Sequence, residues 1–114
     1  MAVRQTDLLQ GTLDLLILEV LSTGPNHGYG IAHRIHELSD DVLRIEEGSL
    51  YPALYRMEHS GLIKSEWGVT DNNRKAKYYS VTRKGRTAAQ AERDSWMRLS
   101  GAVTRLLRAI EQGA

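Results

Sequence analysis

The hydrophobic period of this chain changes at Gly61, and that change limits what it can fold into. Up to Gly61 the apolar residues recur every three or four positions. After it they alternate: Ile63, Ser65, Trp67 and Val69 fall on one side, and Lys64, Glu66 and Gly68 on the other. Asp71-Asn72-Asn73 is a turn signal, and residues 77–82 return as a second β-type run. Two strands around a polar turn predict a β-hairpin. Arg74, Lys75 and Lys77 fall at or just beyond its tip. Helical periods resume behind it, so the expected class is mainly α with a small β-hairpin.

Residues 48–62, just before the change of period, read as a short amphipathic helix. Leu50, Ala53, Leu54 and Met57 share one face, and Tyr51, Pro52, Tyr55, Arg56 and His59 the other. Ser49 is the expected N-cap, which places Pro52 in the first turn, where a missing N–H breaks no intrahelical bond. Gly61 is the expected stop. Two phenols and a guanidinium on the outer face suit a helix that enters a DNA major groove. They equally suit a surface helix with two half-buried tyrosines.

Three further helices are expected. Residues 8–22 are apolar over most of the helical circumference, as in a helix that is buried or shared with a partner. Gly24-Pro25 ends it, and residues 26–30 read as a turn. A second helix spans about 29–38, with Ile31, Ile35 and Leu38 inward. Leu43 and Ile45 alternate with polar residues and fit a short strand. Thr82 is the expected cap of a last helix reaching to about Glu111. In that helix Trp96, Leu99, Val103, Leu106 and Ile110 recur at spacings of three and four, a seam of just over two heptads. A domain this small has no groove that would bury the seam, so it reads as a dimerisation element. Residues 1–6 are expected to form a mobile arm.

Composition narrows the function classes. Cysteine is absent, which removes disulfides and thiolate metal sites. The N-terminus lacks a signal-peptide pattern, and the apolar residues 8–21 contain Asp14 and Glu19 and are too short to span a bilayer. A cytoplasmic location with no membrane role is the expectation. Net charge is only +1, but residues 72–91 carry six Lys or Arg and no acid. A basic block on one segment is the electrostatic footprint of a nucleic-acid binder. It also occurs on solvated hairpins. His33, His36 and Glu37 have helical spacing, yet no second cluster completes a metal set. Gly24, Gly28 and Gly30 have neither phosphate-loop spacing nor a preceding strand. No nucleophile motif is present. The expectation is therefore no enzyme, no metal and no cofactor.

The order helix, helix, short strand, helix, hairpin, helix is that of a winged helix-turn-helix with a long C-terminal dimerisation helix. Residues 1–82 form the DNA-binding part and 83–114 the dimerisation helix, together one compact unit. The residues then carry a specific resemblance. His27-Gly28-Tyr29-Gly30-Ile31, Gly48-Ser49-Leu50-Tyr51-Pro52-Ala53-Leu54, Gly61-Leu62-Ile63 and Arg74-Lys75-Ala76-Lys77-Tyr78-Tyr79 together resemble the PadR family of bacterial transcriptional regulators. The likeness runs from about Leu8 to the last helix and is to the short subgroup with a single C-terminal helix. It implies a homodimeric regulator, usually a repressor, on inverted-repeat double-stranded DNA. It also implies a cavity at the dimer interface that takes flat aromatic compounds, with Trp96 in the place of the Trp lining it.

Residue roles follow. Ser49, Tyr51, Pro52, Tyr55 and Arg56 are expected at the major groove, with hydroxyls to phosphates or base edges and Pro to a thymine methyl. His27 and Tyr29 are expected near backbone phosphate at a helix N-terminus, or else as structural residues of that turn. Arg74, Lys75 and Lys77 are expected on phosphates or the minor groove. Leu99, Val103, Leu106 and Ile110 are the expected dimer contacts. Trp96, Glu92 and Leu99 are the expected effector site, the indoles stacking on a planar ligand and Glu92 supplying counter-charge; Trp96 as a plain core residue is the alternative. A winged-helix adaptor that binds protein rather than DNA is the competing class.

Overall fold

The computed structural model describes Val3–Arg4 and residues 10–114. The elements are β1 (Val3–Arg4), α1 (Gln10–Leu21), β2 (Asn26–His27), α2 (Gly28–Leu38), β3 (Leu43–Arg44), α3 (Glu47–His59), β4 (Ile63–Val69), β5 (Lys75–Val81) and α4 (Arg83–Glu111). The fold is mainly helical with a three-stranded antiparallel sheet, order β2-β5-β4. A two-residue parallel pairing joins β1 to β3. Of the arm expected at residues 1–6, Val3–Arg4 pair through the backbone with Leu43–Arg44, and the rest lies outside the described residues. Likewise Asn26–His27, read as turn, forms an edge strand against Tyr78 and Tyr79.

The core lies where α1, α2, α3 and the root of the sheet meet. Ile17, Leu18, Leu21, Ile31, Leu50, Leu54, Met57 and Ile63 are fully buried there. They are inward positions that the helical and strand periods select, whereas Leu38, expected inward at the end of α2, is 60% exposed. α1 buries Leu13, Leu15, Ile17, Leu18, Val20 and Leu21, which is why it reads as apolar nearly all round. Of the span 8–22 expected as this helix, residues 8 and 9 lie outside the described residues.

Backbone geometry at α3 departs from the sequence expectation at one end and meets it at the other. The N-cap is Glu46, extended at φ −85 and ψ 145, and its side chain makes no capping bond. Its carbonyl instead accepts from the amides of Ser49 and Leu50 at 3.1 and 3.0 Å. Ser49 is therefore inside the first turn and not the cap, and Pro52 stands a turn deeper than expected. The C-terminus is a Schellman motif. Gly61, at φ +79, donates to Glu58 O, and Leu62 donates to Met57 O, each at 3.0 Å.

The hairpin turn closes through Thr70, whose amide donates to Arg74 O at 2.8 Å, with Asn73 in the left-handed region at φ 62. Thr82 caps α4 by accepting from the Gly85 amide at 3.1 Å and also donates to Gly61 O at 2.6 Å. Gly85 has no alternative: a Cβ there would stand 2.0 Å from Leu62 O. α4 packs on α1 over its first turns, where Gly85 and Ala89 are buried and Arg93 pairs with Glu19. The rest of this 29-residue helix runs clear of the domain. Its apolar seam, Trp96, Leu99, Val103, Leu106 and Ile110, is exposed throughout.

Candidate nucleic-acid interface

The start of α2, the outer face of α3 and the inner face of the hairpin enclose an open cleft of about 780 Å³. His27, Tyr29, Tyr51, Arg74, Lys75 and Lys77 line it, six of the residues marked out by the sequence. Each is placed by an identifiable local cause. His27 Nδ1 accepts from the Gly30 amide at 3.1 Å and so caps α2. That bond leaves the imidazole with its Nε2–H as the free donor. The ring also meets Tyr78 edge-on, centroids 5.3 Å apart. Tyr29 follows in the first turn, exposed and parallel to His33 at 6.3 Å. Gly28 between them is buried because the Tyr51 ring lies against it; a Cβ there would be 2.6 Å from the Tyr51 hydroxyl. The bare backbone of α2 thereby sets where the phenol of α3 points.

Tyr51, Pro52 and Tyr55 are exposed on α3. Tyr55, 75% exposed, stacks on His59. Arg56 is placed differently from the expectation. Its guanidinium turns back to α1 and donates to Asp14 Oδ2 and Oδ1 at 2.9 and 2.7 Å. The hydrogen bonds to Asp14 hold its proton more tightly than usual. Arg56 is thus a clamp between two helices, with two of its five N–H donors taken by Asp14.

The basic block also divides. Arg74 lies at the turn, and Lys75 and Lys77 project from the strand face that looks into the cleft. Lys77 stands 3.8 Å from Glu58. Lys84, at the other end of the block, donates to Ser60 O at 2.7 Å. It neutralises the C-terminal end of α3. Arg83 and Arg86 lie on the opening turn of α4, away from the cleft. Only the first half of the block therefore belongs to this surface. Trp67, which the sequence pattern alone did not assign to the interface, lines the same cleft. The alternation that put it on one face with Ile63, Ser65 and Val69 was the available signal, and the strand register adds Lys75 and Lys77 to that face.

Of the proposed effector residues, Trp96 is 45% exposed and Leu99 53%. Glu92 lies against the first turn of α1, its carboxylate 3.0 Å from where a Gly11 Cβ would be. Among the described residues no three His, Asp or Glu side chains stand together as a metal site. No described helix is long and apolar enough to cross a membrane.

Three packed helices, a hairpin wing beside the exposed face of the third, and cations on that wing define a winged helix-turn-helix DNA-binding protein. The chain belongs to the PadR-like family of transcriptional regulators, whose family model matches residues 17–91. A PadR-like regulator from Bacillus cereus is 31% identical with a TM-score of 0.74, covering 87% of this chain and 94% of that one. A transcriptional regulator from Clostridium thermocellum has a TM-score of 0.75 at 29% identity, over 84% and 93% of the two chains. The Mycobacterium tuberculosis transcriptional regulator Rv3488 is 42% identical over 57 residues, 50% of this chain and 52% of its own. The family is one of DNA-binding regulators and not of enzymes.

Proposed function

We propose that this protein is a homodimeric, ligand-responsive repressor that binds an inverted-repeat operator in the cytoplasm. The observation that carries the reading is the exposed face of α3 beside a cationic wing, on a domain whose α4 presents an uncovered apolar seam. Leu99, Val103, Leu106 and Ile110 bury that seam against the partner's copy, and two-fold pairing sets two α3 helices facing one side of a duplex. Ser49, Tyr51, Pro52 and Tyr55 then meet the major groove. Tyr29 and the Nε2–H of His27 meet phosphate, and Arg74, Lys75 and Lys77 hold the adjoining backbone.

Trp96 sits at the early end of the seam, next to the part of α4 that packs on α1. A planar aromatic effector between two such indoles changes the separation of the α3 helices and so the operator affinity. The test is duplex binding after selection from random DNA. Steep loss of affinity with salt, a palindromic consensus and two chains per site are expected. A protein that ignores duplex DNA at low salt overturns the reading and leaves the protein-binding adaptor in its place. For the effector, planar dyes should quench Trp96 in a Trp67→Phe protein and release the operator. Dye binding that survives Trp96→Ala unchanged removes that site.

A further inference from the structure

The hairpin register places Ile63, Ser65, Trp67 and Val69 on one face of the sheet, opposite Val81, Tyr79, Lys77 and Lys75. At its root this face is covered by the helices. Ile63 and Tyr79 are core residues, and Ser65 Oγ donates to Glu58 Oε2 of α3 at 2.5 Å. Towards the tip the strands run past α3. The same face continues without cover, leaving Trp67 67% and Val69 60% exposed.

The overhang is stiff. On the opposite face the Tyr78 ring lies directly over Gly68, where a Cβ would be 2.7 Å from the ring, and its hydroxyl donates to Val69 O at 3.2 Å. Thr70 closes the turn from both sides, accepting from Asn73 N through its carbonyl and from Arg74 N through its hydroxyl. Trp67 is therefore held out over the cleft, directly opposite Lys77 and two pairs from Lys75, with Tyr51 of α3 lining the same space.

We propose that Trp67 is a DNA contact residue, whose indole, extended by Val69, packs on the sugar edges of the duplex while Lys75 and Lys77 hold its phosphates. Charge selects the occupant: the strip is bordered by Lys75, Lys77 and Arg74 against one acid at the turn, Asp71, and Glu58 beside Lys77, a cationic balance that fits a polyanion with apolar sugar faces. The strip is also continuous with the exposed face of α3. This inference rests on the DNA-binding reading above and adds a contact of a different physical kind. It makes part of the wing's grip independent of counterion release.

That difference supplies the test. Binding to the selected operator is measured across a range of salt concentrations for the wild type, Trp67→Ala, Trp67→Phe and Lys75→Ala. Trp67→Ala is expected to lose about tenfold in affinity at every salt concentration, with an unchanged slope of log K against log salt. Trp67→Phe keeps most of the affinity. Lys75→Ala lowers the slope by about one unit for each phosphate that the lysine neutralises in the wild type. Adding duplex to the wild type should also change tryptophan emission, and that change should vanish in Trp67→Phe, whose remaining indole is Trp96. An unaltered affinity in Trp67→Ala overturns the proposal, as does an emission change that persists in Trp67→Phe. A wild type that binds no duplex at all fails at the earlier step and overturns the DNA-binding reading instead.

Discussion

Arg56 of α3 grips Asp14 of α1 with two guanidinium nitrogens, at 2.7 and 2.9 Å, across 42 residues of sequence. Asp14 is mostly buried, its side chain 15% exposed, and Arg56 is the cation paired with it. A planar fork meeting a carboxylate fixes angle as well as distance. The pair therefore sets how α3 is carried on the rest of the domain. Arg56→Ala should lower stability by about 2 kcal/mol, since it strands a carboxylate that is largely out of water. Arg56→Lys should recover only part of this loss. The double variant with Asp14→Ala should cost less than the sum of the two single changes, measured by denaturant unfolding. An Arg56→Ala protein of full stability with weakened DNA binding would return Arg56 to the interface.

Asp14 and Arg56 also mark where sequence reading stops. The strand Ile63–Val69, the Thr82 cap, the stop at Gly61 and the last helix to Glu111 were legible, because each rests on neighbours in the chain. Period two is visible in seven residues, and a cap in four. Arg56 fell on the outer face of its helix by period, and only the three-dimensional packing shows that the side chain is long enough to turn back to α1. The strands β1 and β2 are two residues each and exist through partners found far along the sequence. At the start of α3, Ser49 had the better capping side chain. The helix nevertheless begins at Glu47, following Ile45, which is buried in the core, and with acids at its positive end. At the interface, the residue types were readable and their division of labour was not: the same basic run supplies the wing and the clasp on Ser60.

Gly28 controls Tyr51 through the 2.6 Å approach described above. Tyr51→Ala should weaken operator binding about tenfold more than binding to random duplex, as a base-edge contact does. Gly28→Ala, which must push the phenol aside, should reproduce much of that selective loss while the domain stays folded. Combining the two should be no worse than Tyr51→Ala alone. Equal losses on operator and random duplex would make Tyr51 a phosphate contact.

Tyr79 gives the fold a sensitivity to alkali. Burial pushes its hydroxyl above the ordinary value of 10.0, with the nearby Glu58 carboxylate adding to the shift, followed by Tyr51. The folded chain thus holds this proton more tightly than the unfolded chain. The corresponding stability is complete below pH 10 and is lost as the pH rises through the folded value. Tyr79→Phe removes the titration, so its stability should fall less steeply above pH 10 than that of the wild type. Parallel curves from chemical denaturation would show that Tyr79 is not responsible for this part of the alkaline loss.

Val103 stands at the centre of the exposed seam of α4, between Leu99 and Leu106. In the proposed two-fold pairing it faces the partner, so Val103→Asp puts a carboxylate from each chain into an apolar interface. Within the protomer the side chain is about half exposed, so the substitution leaves the domain core untouched. Sedimentation should show monomers that keep their helical signal. Operator binding should fall to the level of a single half-site, with roughly half the salt slope, because half the phosphate contacts remain. The wing and α3 are unaltered, so the residual binding should still depend on Lys75. A Val103→Asp protein that sediments as a dimer would take this seam out of the interface.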